Sequence, residues 1–171
     1  SFHPMAEGIA LNALRLIHKW LPVATHEGDN LEARGQMLIA SGMGCVALQK
    51  GLGAIHALAH PLGALHDAHH GLLNAVLMPY VVQFNTPAIA DKLGLLARVI
   101  DLPRKDPEGV LNWILDLRKD LSIPEKLSGM GLVDVDVGKV AEMSLLDPCA
   151  GGNPVKLDEP GVRRILAAAM G

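Results

Sequence analysis

Apolar residues recur along this chain at spacings of three and four, the period of a helix with one buried stripe. After Phe2-His3-Pro4 the first stripe runs through Met5, Ile9, Leu11, Leu14, Ile17 and Leu21. Pro4 suits a first helical turn, and Pro22 is expected to end the helix. Asp29-Asn30 can cap a second helix that carries Met37, Leu38, Ala40, Val46 and Leu48 to Gly51. A third is expected over 54–60, interrupted by Pro61 and Gly63. His69 or His70 opens a fourth through Leu72, Leu73, Val76, Leu77, Val81 and Val82. Thr86-Pro87 supplies a cap and a first turn for a fifth helix, ending near Ile100. Asp106-Pro107-Glu108 starts a sixth, through Val110, Ile114, Leu117 and Leu121, and Pro124 marks a turn after it. Asp136 to Leu146 and Glu159-Pro160 to Gly171 complete the series. The expected fold is all-α, one helical domain over residues 1–171 with short connections.

Composition supports this. Half of the residues are hydrophobic but only 3% are aromatic, so Leu, Ala, Val, Ile and Met must build the core. Trp20 and Trp113 are expected in that core, with Met5, Met37, Met43 and Met78 filling gaps. A net charge of -3 gives no electrostatic case for nucleic acid or an anionic membrane. No apolar run is long enough to span a bilayer. No signal-peptide pattern opens the chain, and Cys45 and Cys149 belong to no CxxC pattern, so a cytoplasmic location is expected. Gly51-Leu52-Gly53 lacks a preceding strand and the spacing of a phosphate loop. This chain therefore contains no nucleotide-binding domain of its own.

Chemistry concentrates between His56 and His70. Five of the eight histidines lie there, at 56, 60, 66, 69 and 70, with Asp67 among them. Imidazole is the commonest protein metal ligand and titrates near neutrality, so the cluster points to a metal or proton-transfer site. His56 and His60 share a helix face. Either both reach one metal, or one binds metal while the other meets substrate. Gly63 is expected to permit a tight turn that brings the His66–His70 segment back over that face. His66 and His69 are read as solvated loop residues, and His3, His18 and His26 as isolated surface residues. A zincin-like hydrolase is disfavoured because Ala57 stands where His-Glu-x-x-His places its general base.

Taken together, Gly51-Leu-Gly-Ala-Ile55, His56-Ala-Leu-Ala-His60-Pro-Leu-Gly-Ala, His70-Gly-Leu-Leu-Asn-Ala-Val-Leu-Met-Pro79, Phe84-Asn85 and Asp147-Pro-Cys-Ala-Gly-Gly-Asn-Pro154 resemble the iron-containing (group III) alcohol dehydrogenase family. The run after His70 resembles the metal-dependent branch more than the related maleylacetate reductases. The resemblance implies a helical bundle like that family's C-terminal metal-binding domain, of the dehydroquinate-synthase-like class. It implies His56 and His70 as metal ligands and His60 as the catalytic residue, beside nicotinamide and substrate. It places Cys149 near the cofactor. The metal would be Fe2+ or Zn2+, polarising the oxygen of a small alcohol or aldehyde while hydride passes to or from NAD or NADP. Gly151 and Gly152 are expected to shape the loop around Cys149, and Asn74 and Asn85 to satisfy helix or backbone groups.

The family's two other ligands, an Asp and a His one turn apart, and its Gly-rich phosphate segment have no counterpart in residues 1–55. The chain is accordingly expected to be the C-terminal part of such a dehydrogenase. Alone it should be inactive, bind metal weakly or through substitutes such as His60, Asp67 or water, and self-associate as a homo-oligomer through uncovered apolar surface. The competing reading is a non-catalytic helical metal-binding or scaffold domain. A Gly-rich nucleotide-binding domain encoded upstream would favour the enzyme; an independent start codon would favour the scaffold.

Overall fold

The computed structural model describes residues 3–171, and Ser1 and Phe2 lie outside the described residues. Among these residues the chain forms seven α-helices and three short 3₁₀ turns, with no strand. The helices are α1 Pro4–His26, α2 Leu31–Ala47, α3 Ala54–His66, α4 His70–Val99, α5 Pro107–Asp120, α6 Val137–Leu146 and α7 Glu159–Met170. The all-α expectation holds. Contacts group the chain into two compact units, one of 1–51 with 91–110 and one of 52–90 with 111–171.

The first unit is built on a hairpin of α1 and α2. Ala6 and Ala13 on α1, and Ala33 and Ala40 on α2, are buried at seven-residue spacing, so small side chains let the two backbones approach closely. His3 is not a bystander: its Nδ1 accepts the Ala6 amide and caps α1. Pro22 does not end α1, which continues to His26. It removes a single internal hydrogen bond close to the helix end, and the Thr25 hydroxyl and Glu27 amide bond the nearby carbonyls of Leu21 and Val23. Glu7 bridges Lys50 at 2.9 Å and Lys92 at 2.8 Å. The Lys92 and Lys50 hydrogen bonds pull its carboxyl down to a pKa of about 2. The outer side of α2 stays uncovered: Leu31, Leu38 and Ile39 are 81%, 76% and 54% exposed. Met5, expected to fill a gap, is exposed as well. His18 and Trp20 are half-buried and His26 is exposed.

The second unit holds a continuous apolar core. Leu58 and Leu62 of α3, Leu73, Val76 and Leu77 of α4, Leu127, Val140 of α6, and Val162 and Leu166 of α7 are fully enclosed in it. This core explains why α3 runs through Pro61 and Gly63 to His66, past the expected stop. An interior proline costs about 3 kcal/mol locally, but Leu58, Ala59, Pro61 and Leu62 are all buried, and packing of that face outweighs the lost bond. The turn comes instead at Asp67, whose φ of 50° and ψ of 37° are left-handed. His69 then caps α4 by accepting the Leu72 amide.

The boundary expected at Thr86-Pro87 is present slightly later, where two helical stretches of α4 meet at a kink. The Thr86 hydroxyl bonds back to the Val82 carbonyl, and the helical conformation is broken at Ile89, with φ -129° and ψ 16°. Trp113 on α5 is half-buried, not a core residue. Arg118, also on α5, is buried and donates to the Glu125 carbonyl, which accepts the Tyr80 hydroxyl too. Asp136 and Asp158 cap α6 and α7 as their side chains accept the Lys139 and Gly161 amides.

Candidate metal centre

Two elements meet to form the histidine cluster. The four-residue spacing on α3 stacks His56 and His60 on one face, and the Asp67 turn starts α4 so that its first residue, His70, reaches them. The three imidazole centroids lie 5.3 to 5.8 Å apart. One helical turn further along α4, the Asn74 amide nitrogen stands 3.1 Å from His70 Nε2 and 3.4 Å from His56 Nε2. With that nitrogen donating, both Nε2 atoms present lone pairs to one point, the tautomer in which imidazole binds a cation. Asn74, expected to serve the helix backbone, instead faces the imidazoles, and its Oδ1 is buried without a hydrogen-bond partner.

Burial, and then the imidazoles of His70 and His60, push His56 below the usual histidine range, with Asp147 opposing. His56 is therefore neutral at physiological pH, as a ligand must be. The donor set fits a divalent cation held by two nitrogens of this chain. Among the described residues the group able to offer three ligand atoms together is a different one, His60, Asp147 and Cys149. His56 and His70 together offer two nitrogens, fewer than the four donors of a closed tetrahedral site.

His60 turns the other way. Its Nδ1 lies 2.7 Å from Asp147 Oδ2. Asp147 ends α6 and caps the turn Pro148–Gly152, its Oδ1 accepting the Cys149 amide at 2.8 Å. Burial alone would raise this carboxyl. Hydrogen bonds from His60, the Cys149 amide and the Cys149 thiol outweigh it and hold Asp147 below the usual carboxylate range. Burial, then the Asp147 hydrogen bond and charge, push the half-buried Cys149 thiol up. Cys149 is thus a protonated thiol beside His60. In the sequence Asp147 stands only as the first residue of the Asp147–Pro154 loop motif, with nothing local to link it to His60.

The loop after Cys149 also frames the site. Gly53 precedes α3 and has no side chain with which to cap it. Asn153 does this from 99 positions away, its Oδ1 accepting the Ala54 amide. The same oxygen accepts the Asn85 amide at 2.8 Å, while Asn153 Nδ2 donates to Asn85 Oδ1 and to the Val155 carbonyl. Asn85 is thus matched chiefly to Asn153. Gly152 is demanded by close approach, since a Cβ there would stand 2.1 Å from the Leu52 carbonyl oxygen; around Gly151 the space is open. His66, Asp67 and His69 are not part of the cluster. They line a separate cavity of about 330 Å³ with Leu72, Met130 and Leu132.

Comparison with known proteins gives a consistent outcome. Residues 1–170 match the Fe-containing alcohol dehydrogenase family, C-terminal. The chain is 37% identical over 179 residues to 4-hydroxybutyrate dehydrogenase of Cupriavidus necator, covering 99% of this chain and 46% of that protein. It is 36% identical over 174 residues to 1,3-propanediol dehydrogenase of Citrobacter freundii, covering 98% and 45%. The crystal structure of a 1,3-propanediol oxidoreductase superposes with a TM-score of 0.94 at 34% identity, covering 98% of this chain and 46% of that one. Alcohol dehydrogenase from Oenococcus oeni gives 0.91 at 29%, covering 98% and 45%. The chain spans about half the length of the curated relatives it matches.

Proposed function

The chain belongs to the Fe-containing alcohol dehydrogenase family as its C-terminal domain, and from that membership we propose that it is the metal-holding half of a nicotinamide-dependent alcohol dehydrogenase. The observation that carries this reading is the convergence of His56 and His70 Nε2 on one point beside His60. His56 and His70 would hold a divalent cation, Fe2+ in keeping with the family's description and Zn2+ as an alternative. Bound there, the cation supplies Lewis-acid polarisation of the alcohol or carbonyl oxygen.

The chain's own residues do the rest. His56, kept neutral by burial and by its neighbours, offers a lone pair without first losing a proton. His60 is exposed, so it can both meet substrate and pass a proton to water as alcohol and aldehyde interconvert. Cys149 stays a neutral thiol and borders the space where the nicotinamide would lie, without competing as a nucleophile. NAD or NADP would be gripped by a partner domain, since this chain carries no phosphate-binding glycine turn. Relatives named for 4-hydroxybutyrate and 1,3-propanediol support a small hydroxyl compound or its aldehyde as substrate. Both cysteines are free, in keeping with a reducing cytoplasm.

The complete polypeptide carrying these residues should bind a stoichiometric divalent cation and reduce nicotinamide in an alcohol-dependent way. Chelation should stop turnover and Fe2+ should restore it, whereas full turnover after complete removal of the metal would refute the proposal. The 171 residues alone should show no turnover. They should self-associate through the uncovered α2 face, where Leu31 and Leu38 stand exposed. Light scattering that finds a monomer at high concentration would rule the association out.

A further inference from the structure

We propose that Asp147 is the positioning residue of this site, fixing the His60 imidazole in the Nδ1–H form so that Nε2 is the atom that exchanges a proton. The inference rests on the reading that His60 relays protons. Its support is geometric. His60 projects from α3 with 42% of its side chain exposed, so the helix alone leaves its ring free to rotate. Asp147 is only 12% exposed and is fixed twice over by backbone. Its Oδ1 accepts the Cys149 amide, and its own carbonyl accepts the Ala150 amide at 3.0 Å. The second oxygen is therefore aimed, and it meets His60 Nδ1 at 2.7 Å, a charge-assisted distance.

A carboxylate only accepts, so the proton of that bond must sit on Nδ1. A neutral imidazole protonated at Nδ1 has its lone pair at Nε2. The anchor also fixes the ring plane, which lies 14° from that of His70 at 5.5 Å between centroids. A base held by a nucleophile or substrate on one side and oriented by a third group on the other is a recurrent catalytic arrangement. Here the third group comes from the turn after α6, 87 positions further along the chain.

Asp147→Asn separates positioning from folding. Its Oδ1 can still accept the Cys149 amide, while its NH2 group faces Nδ1 and demands the opposite tautomer. The test is made on the complete protein, loaded with Zn2+ as a diamagnetic cation and labelled with 15N-histidine. Wild type should show His60 protonated at Nδ1 and bare at Nε2 when neutral. D147N should invert this and leave the Cys149 amide resonance in place. With the catalytic cation, D147N should lower kcat about 100-fold with alcohol KM within about twofold, and D147E should recover most of the loss. A wild-type His60 protonated at Nε2, or a D147N variant with an unchanged tautomer, would overturn the proposal. If Asp147 controls the tautomer but His60→Ala keeps full kcat, positioning stands and the relay role of His60 falls.

Discussion

Replacing His56 or His70 by alanine in the complete protein should abolish stoichiometric retention of the cation and lower alcohol oxidation by about 10³-fold or more, since Lewis-acid stabilisation is worth several kcal/mol. The two variants should be equally impaired, because both Nε2 atoms address the same point beside Asn74. The fold should survive. His70 is exposed at the start of α4 and His56 is only half-buried, so neither is a core group. His66→Ala serves as the control, since that residue lines a different cavity, and its activity should stay within about twofold of wild type. Metal analysis beside steady-state rates distinguishes the cases. A His70→Ala protein that keeps a full complement of cation would remove His70 from the ligand set.

Asn153→Ala should be the most destabilising polar substitution in this domain, costing about 3–5 kcal/mol. It deletes two accepted and two donated hydrogen bonds at once. Asn85, only 6% exposed, is left with both ends of its amide deprived of their main partner, and the first turn of α3 loses its cap. Asn153→Asp should rescue little, because a carboxylate would face the Asn85 oxygen and the Val155 carbonyl where an amide now donates. The urea midpoint measures the effect, and a loss below about 1 kcal/mol would show that water replaces the network easily. Since His56 lies in the first turn of α3, cation affinity should fall in the same variant.

Helix identity and most helix starts were legible because they are local. Asn30 caps α2 as the Asp29-Asn30 signal predicts, and α6 and α7 begin beside Asp136 and at Glu159-Pro160, where the apolar stripes place them. The helix breaks were less so. Pro22 and Pro61 carry local signals to stop, yet the helix continues through each, whereas the boundary signalled by Thr86-Pro87 is present as the kink at Ile89. Burial of the face around Pro61 is a tertiary effect that periodicity does not weigh. The cluster of His56, His60 and His70 was legible because spacing alone puts the first two on one face. Asp147 and Asn153 were not, since their partners lie 87 and 99 positions away and no local pattern links a loop to a distant helix.

The Asn153 cap also sets the timing of biosynthesis. Chains grow from the N-terminus at about 5–20 residues per second, so α3 leaves the ribosome many seconds before the residue that closes its first turn. Through that interval the nascent chain carries its histidines on a helix with a frayed beginning, and without Asp147 to hold His60. On the proposed ligand set, translation stalled before the Asp147–Asn153 turn should yield chains that take up metal poorly.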